Sequence, residues 1–301
     1  MEPRFARKGE ALIPAAFDYH RPASLDEALG LLTRMGGDAK VLSGGMSLLP
    51  MLKLRLGSFA HLVDIGRIPG LDFVKEEGGF LRIGAMTRQS TLERSELIRS
   101  KYPMLADAVP LIADPLVRNR ATVGGNIANG DPANDQPAIA IAYGATLVVR
   151  GPKGERSIAA NQFYKSIYVT ALAAGEILTE IRIPVPAARS GGAYCKIKRK
   201  TGDFAVAAAA VQLTLDAKGA VEKAGIALTN AGPTPLEVPD AAKFLVGKMP
   251  DEKTIAEAAG MAAKKSDPSA DHRGSVDYKR DMARVMVTRA LQKAAQRAGG
   301  R

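Results

Sequence analysis

The chain has 301 residues, 46% of them hydrophobic and 24% charged, which is ordinary globular composition and enough length for two or three compact units. One cysteine excludes an internal disulfide framework and any cysteine-only metal or iron–sulfur site, and three scattered histidines give no expectation of a built-in metal site. A net charge of +11 raises nucleic-acid binding, but the chain has only 5% aromatic residues and no tryptophan, so stacking platforms are scarce.

In chain order, Ser24-Leu25-Asp26-Glu27 reads as a capping box, with Ala28, Leu29 and Leu32 following at helical spacing until Gly36-Gly37. A strand near Lys40 to Leu42 runs into the hydroxyl-flanked turn Ser43-Gly44-Gly45-Met46-Ser47-Leu48, after which Ser47 opens a brief helix. His61 to Ile65 closes this first, βαβ-type unit. The second unit opens on a strand at 80–85, continues with helices at 87–99 and 103–113, and reaches the run Thr122-Val123-Gly124-Gly125-Asn126. A helix at 136–143 and strands at 145–150 and 176–184 follow, and Pro184-Val185-Pro186 marks the best boundary. Beyond it the pattern predicts three strands, near 193–199, 205–215 and 221–228, and helices near 239–247, 251–265 and 278–297. No apolar run approaches a membrane span, and Met1-Glu2-Pro3-Arg4 lacks a signal-peptide core, so a cytoplasmic protein is expected.

Paired glycines let a ligand approach bare backbone, and consecutive amides in such a turn form a concave anion site suited to a pyrophosphate. Two such turns suggest one diphosphate-bearing cofactor held from two sides. No G-x-G-x-x-G follows a strand, so a Rossmann site is not indicated. Arg118, Asn119 and Arg120 crowd before the second turn, read either as a solvated turn or as phosphate steering. Asp135 can cap the 136–143 helix. The basic run Lys196 to Lys200 and the set Arg289, Lys293 and Arg297 read as solvated faces or as surfaces for acidic partners.

The two turns, their order, and Gly130-Asp131-Pro132 together resemble the FAD-binding medium subunits of molybdenum hydroxylases, the carbon monoxide dehydrogenase and xanthine dehydrogenase family. Ile83-Gly84-Ala85-Met86-Thr87 and Ala193-Tyr194-Cys195-Lys196-Ile197-Lys198-Arg199 match weaker signatures. The resemblance implies an α+β fold: a two-lobed FAD-binding domain of the PCMH type (residues 1–66 and 67–187) and a small C-terminal α/β domain (188–301) with a three-stranded sheet plus helices. It implies non-covalent FAD, since Met46 stands where distantly similar covalent flavoproteins carry a histidine. Ser43, Gly44, Gly45, Met46, Ser47, Leu48, Thr122, Gly124, Gly125 and Asn126 would hold the pyrophosphate, and Asp135 would bond cofactor hydroxyls. Ile112 would lie beside the adenine or ribose, Leu178 and Lys196 at the isoalloxazine ring, and Tyr194 over a flavin face. No catalytic acid or base and no metal ligand is implied in this chain. The [2Fe–2S] centres and the molybdenum cofactor would sit on a small and a large partner subunit, in a dimer of heterotrimers that can attach peripherally to the inner face of a membrane. The alternatives are a free-standing FAD-dependent oxidoreductase of the same superfamily, a basic nucleic-acid-binding protein, and a flavin-less scaffold.

Overall fold

The computed structural model describes residues 13–300; Met1–Arg4, read above for a signal peptide, lie outside the described residues. The first lobe runs β1 (Asp18–His20), α1 (Leu25–Met35), β2 (Ala39–Leu42), α2 (Leu48–Lys53) and β3 (His61–Asp64). Its strands form a parallel sheet with β3 in the centre. α1 starts where expected: the Glu27 amide donates to Ser24 Oγ at 3.1 Å, while the Glu27 carboxylate reaches past the cap to the Ala23 amide at 2.8 Å. Ala28, Leu29, Leu31 and Leu32 bury against Val63, Ile65 and Ile68. The three-residue β1 is too short for any period to announce it, yet its pairing with β3 brings His20 against His61, so the histidines are not all scattered.

The second lobe is built on a five-stranded antiparallel sheet, in the order β4 (Val74–Glu77), β5 (Phe80–Gly84), β10 (Ile177–Pro184), β6 (Thr146–Gly151), β7 (Gly154–Ala159). Between β5 and β6 lie α3 (Gln89–Arg94), α4 (Glu96–Lys101), α5 (Pro103–Ala108), α6 (Pro115–Arg118), α7 (Val123–Ala128) and α8 (Asp135–Ala142). The helix expected at 87–99 is two helices, because Ser95 adopts an extended conformation and its Oγ caps the Ile98 amide. The helix expected at 103–113 stops early, passing through a 3-10 turn to Ala113, whose φ of 45° no α-helix accommodates. A short hairpin, β8 (Tyr164–Ser166) and β9 (Val169–Thr170), precedes β10.

The C-terminal sheet, β11 (Ser190–Ile197), β12 (Ala207–Leu215), β13 (Val221–Thr229) and β14 (Leu236–Glu237), is antiparallel in chain order and has one short strand more than expected. Both of its faces are covered. Ala208, Ala210 and Tyr194 join the second lobe's core with Met104, Leu105 and Ile139. Ala207, Ala209 and Val211 pack under α9 (Pro239–Leu245), α10 (Glu252–Lys265) and α11 (Val276–Ala298). Double burial explains why Ala205–Val211 is an unbroken apolar run with no alternation of polarity. α11 presents Ala283, Met286, Val287, Ala290, Leu291 and Ala294 to the sheet at helical spacing. Its basic face is not simply solvated: Lys293 and Arg297 both hold Asp107 of α5, at 2.9 and 2.7 Å. Those cations keep the Asp107 carboxyl below the usual carboxylate range despite its burial.

Candidate functional site

The two Gly-Gly turns meet. Ser43 Oγ lies 2.7 Å from Thr122 Oγ1, across 79 residues of sequence. The first turn leaves the C-terminal end of β2 and enters α2; the second is the start of α7. A Cβ added at Gly44 would stand 2.3 Å from the Arg120 carbonyl oxygen, and one at Gly124 would stand 2.4 Å from Ala85 Cβ. These two glycines therefore exist first to let three backbone segments, 43–47, 84–87 and 120–125, come into contact.

The amides of the two turns are used differently. In the second, Val123 N–H donates to the Thr87 carbonyl, Gly124 N–H to the Ala85 carbonyl, both at 2.9 Å, and Gly125 N–H to Thr122 Oγ1 at 3.0 Å. In the first, the amides of Gly44, Gly45, Met46, Ser47 and Leu48 have no protein acceptor among the described residues. Gly44 and Gly45 are buried and Gly45 has φ +78°, so this is a concave run of unmatched donors. Buried unpaired amides are costly, and an anion with several acceptor oxygens relieves that cost. A diphosphate fits this donor set.

Residues around the turns brace them. Met86 Sδ accepts from Ser43 Oγ at 3.0 Å, Gln89 N–H donates to the Ala121 carbonyl, and the Arg88 guanidinium holds the Arg120 carbonyl. Met86 was legible as part of the 83–87 signature, but Arg88 and Gln89 carried no sequence signal, because their partners lie more than 30 residues away. Arg118 is neither solvated nor a phosphate guide: it is buried, donates to Glu93 at 2.8 and 3.0 Å, and holds the Ile112 carbonyl at 3.0 Å.

The remaining expected site residues form a second, interior group. Both carboxylate oxygens of Asp135 are engaged, Oδ1 by Tyr194 Oη at 2.5 Å and Oδ2 by Lys196 Nζ at 2.9 Å. The Lys196 ammonium also donates to the Leu111 carbonyl at 3.1 Å, and its side chain is 1% exposed. Tyr194 and Thr229 complete the network at 3.2 Å. Burial pushes the Asp135 carboxyl up, opposed by the Lys196 charge, and pushes the Tyr194 phenol well up. The cap of α8 is Asn134 rather than Asp135, which occupies the first helical position.

The burial of these residues differs from that of the turns. Asp135, Ile112, Leu178 and Tyr194 are each at most 5% exposed. Lys196 pairs with Asp135 at 2.9 Å. The surface around the turns is offered by Ser43, Met46, Ser47, Leu48, Gly125 and Asn126, while Gly44, Gly45, Thr122 and Gly124 lie behind it. The two groups are joined by α8. Asn134 Nδ2 donates to the Asn126 carbonyl at 2.8 Å, the Gln136 amide to Asn126 Oδ1 at 3.3 Å, and Gln136 Nε2 to Gln89 Oε1 at 2.9 Å.

Comparison with known proteins shows the family. Residues 15–186 match the model of the FAD binding domain in molybdopterin dehydrogenase, and residues 192–294 that of the CO dehydrogenase flavoprotein C-terminal domain. The chain is 46% identical to the carbon monoxide dehydrogenase medium chain of Afipia carboxidovorans, over 95% of this chain and 99% of that one. It superposes with a TM-score of 0.92 and 48% identity on a chain of carbon monoxide dehydrogenase from Hydrogenophaga pseudoflava, covering 95% of this chain and 99% of that one. A chain of quinoline 2-oxidoreductase from Pseudomonas putida 86 follows at 0.88 and 35%, with the same coverage. The chain belongs to the FAD-binding family of the molybdopterin dehydrogenases and carries the carbon monoxide dehydrogenase flavoprotein C-terminal domain.

Proposed function

We propose that this chain is the FAD-binding electron-transfer subunit of a molybdenum hydroxylase complex of the carbon monoxide dehydrogenase kind. The observation that carries the reading is the run of unmatched amides from Gly44 to Leu48, set against the hydroxyl pair Ser43 and Thr122. FAD, when bound, supplies a two-electron carrier that can also pass electrons singly. The amides of residues 44–48 would hold its pyrophosphate at the entrance of α2. Ser47, Met46, Leu48, Gly125 and Asn126 would form the walls that meet it. Gly44, Gly45, Thr122 and Gly124 shape the cradle from behind.

Asp135, Tyr194, Lys196, Ile112 and Leu178 take an indirect role in this reading. Asp135, Tyr194 and Lys196 hold α8 against the C-terminal sheet, so that Asn126 and Gln136 keep their positions. We take residues 1–66 and 67–187 as the two lobes of the FAD domain and 188–301 as the C-terminal domain, each built on its own sheet. The single cysteine, Cys195, is half-buried and free, so iron–sulfur ligation falls to another subunit. The relatives' medium-chain names imply a smaller and a larger partner; we infer that these carry the iron–sulfur centres and the molybdenum, in a dimer of heterotrimers. No described helix is long and apolar enough to cross a membrane.

The test is to purify the chain with FAD, denature it, and assay the released flavin. One FAD per chain, freed without proteolysis, is the expected result, together with no substrate turnover by the isolated subunit. A chain that stays colourless even when co-expressed with its partner subunits would overturn the reading.

A further inference from the structure

Away from the cradle, β1 and β3 bring together three side chains that the flavin chemistry does not use. Asp18 pairs in register with His61, and His20 lies two residues along β1, on the same face of the strand as Asp18. Tyr19 points the other way and donates to Asp64 Oδ2 at 2.5 Å. His20 Nε2 is 3.2 Å from His61 Nδ1, and His61 Nδ1 is 3.4 Å from Asp18 Oδ2. All three ligand atoms lie within 4.8 Å of one another.

We propose that Asp18, His20 and His61 form a binding site for a divalent transition metal ion, zinc being the best match. A tetrahedral ion with bonds of about 2.0–2.2 Å holds its ligand atoms roughly 3.3–3.5 Å apart. Of the two measured edges, 3.4 Å falls within that range and 3.2 Å lies just below it. The two ring nitrogens face each other at 3.2 Å, close enough for a single ion to bridge them. Two imidazoles and one carboxylate favour zinc or its neighbours over calcium or magnesium, which require oxygen donors. The Asp18 side chain is 77% exposed, which leaves the fourth vertex to water and makes the site accessible.

The location separates this site from the cofactor cradle. His61 opens β3, whereas the 43–48 turn follows the last residue of β2; because these strands are parallel, the two features occupy opposite ends of one sheet. An ion here would clamp the edge strand β1 onto β3 and stiffen the first lobe without touching the flavin.

The experiment is a cobalt(II) titration of the untagged, FAD-loaded protein, followed in the visible region and then displaced by zinc. The expected result is intense tetrahedral d–d absorption with a one-to-one endpoint, abolished by zinc. His20→Gln and His61→Gln should each remove the bands and weaken zinc binding in calorimetry by about tenfold or more, as loss of one of three ligands demands. Asp18→Asn, an exposed edge-strand change that spares the fold, should weaken binding less. Circular dichroism and flavin content should match the parent protein in every variant. Absence of a one-to-one endpoint, or equal binding by the histidine variants, would overturn the proposal.

Discussion

The two Gly-Gly turns look alike in sequence and do different physical work. At Gly124 and Gly125 every amide has a protein acceptor, and the missing Cβ admits the Ala85 backbone. At Gly44 to Leu48 the amides have none among the described residues, and Gly45 takes a left-handed conformation. One turn is a joint between β5 and the start of α7, and the other leaves a run of donors open to a ligand. Glycine pairs alone do not separate a packing requirement from a binding requirement; the destination of the neighbouring N–H groups does.

The strongest way to break that contrast is at the joint's far end. Lys196→Met leaves Asp135 buried without its cation, and removing one partner of such a pair costs about 3–5 kcal/mol. The Asp135 carboxyl, already raised by burial, rises further in this variant. A carboxyl raised above its unfolded value contributes stability below the unfolded pKa and loses it as pH climbs through the folded one. The deficit of Lys196→Met, measured by urea unfolding, should therefore shrink as pH is lowered towards 4. A pH-independent deficit would mean that the ion pair is not its source.

Next in size is Gly124→Ala. Its Cβ would collide with Ala85, and overpacking of this kind costs about 1–3 kcal/mol. Loss of FAD should accompany the loss of stability in this variant. Ser47→Asp should separate the two effects. Ser47 is exposed and its hydroxyl has no protein partner among the described residues, so the substitution breaks no contact. Apo stability should hold, while flavin affinity falls by roughly tenfold or more because a carboxylate faces the pyrophosphate. Equal flavin affinity in Ser47→Asp would move the cradle elsewhere. The smallest effect is expected from Ser43→Ala, which removes one hydroxyl bridge between the turns and costs about 1 kcal/mol in thermal unfolding.

Asp203 offers an independent acid-side reading. Its hydrogen bonds from Arg273 and Arg199 lower its pKa to about 2. The depressed value means that its contribution is present above the ordinary carboxylate pKa and fades as pH falls through about 2. Asp203→Asn should thus destabilise the chain at neutral pH, by an amount that vanishes in strong acid, as urea midpoints across pH would register.

What could be read directly from the residues was whatever local chemistry specifies. The capping box placed α1, paired glycines placed both turns, and runs such as Ala205–Val211 and the spacing along α11 placed the C-terminal strands and helices. The family signature followed from the same local groups. Short or half-exposed elements such as β1, β7 and the break at Ser95 were not legible, because three residues or an edge strand carry too little periodicity. Only the tertiary structure decided which amides stay unmatched, that Asp135, Tyr194 and Lys196 close on each other, and that two histidines 41 residues apart share one face. Each of those depends on partners distant in sequence, and a residue's type states which bonds it can make, while the packing around it settles which bonds remain to be made.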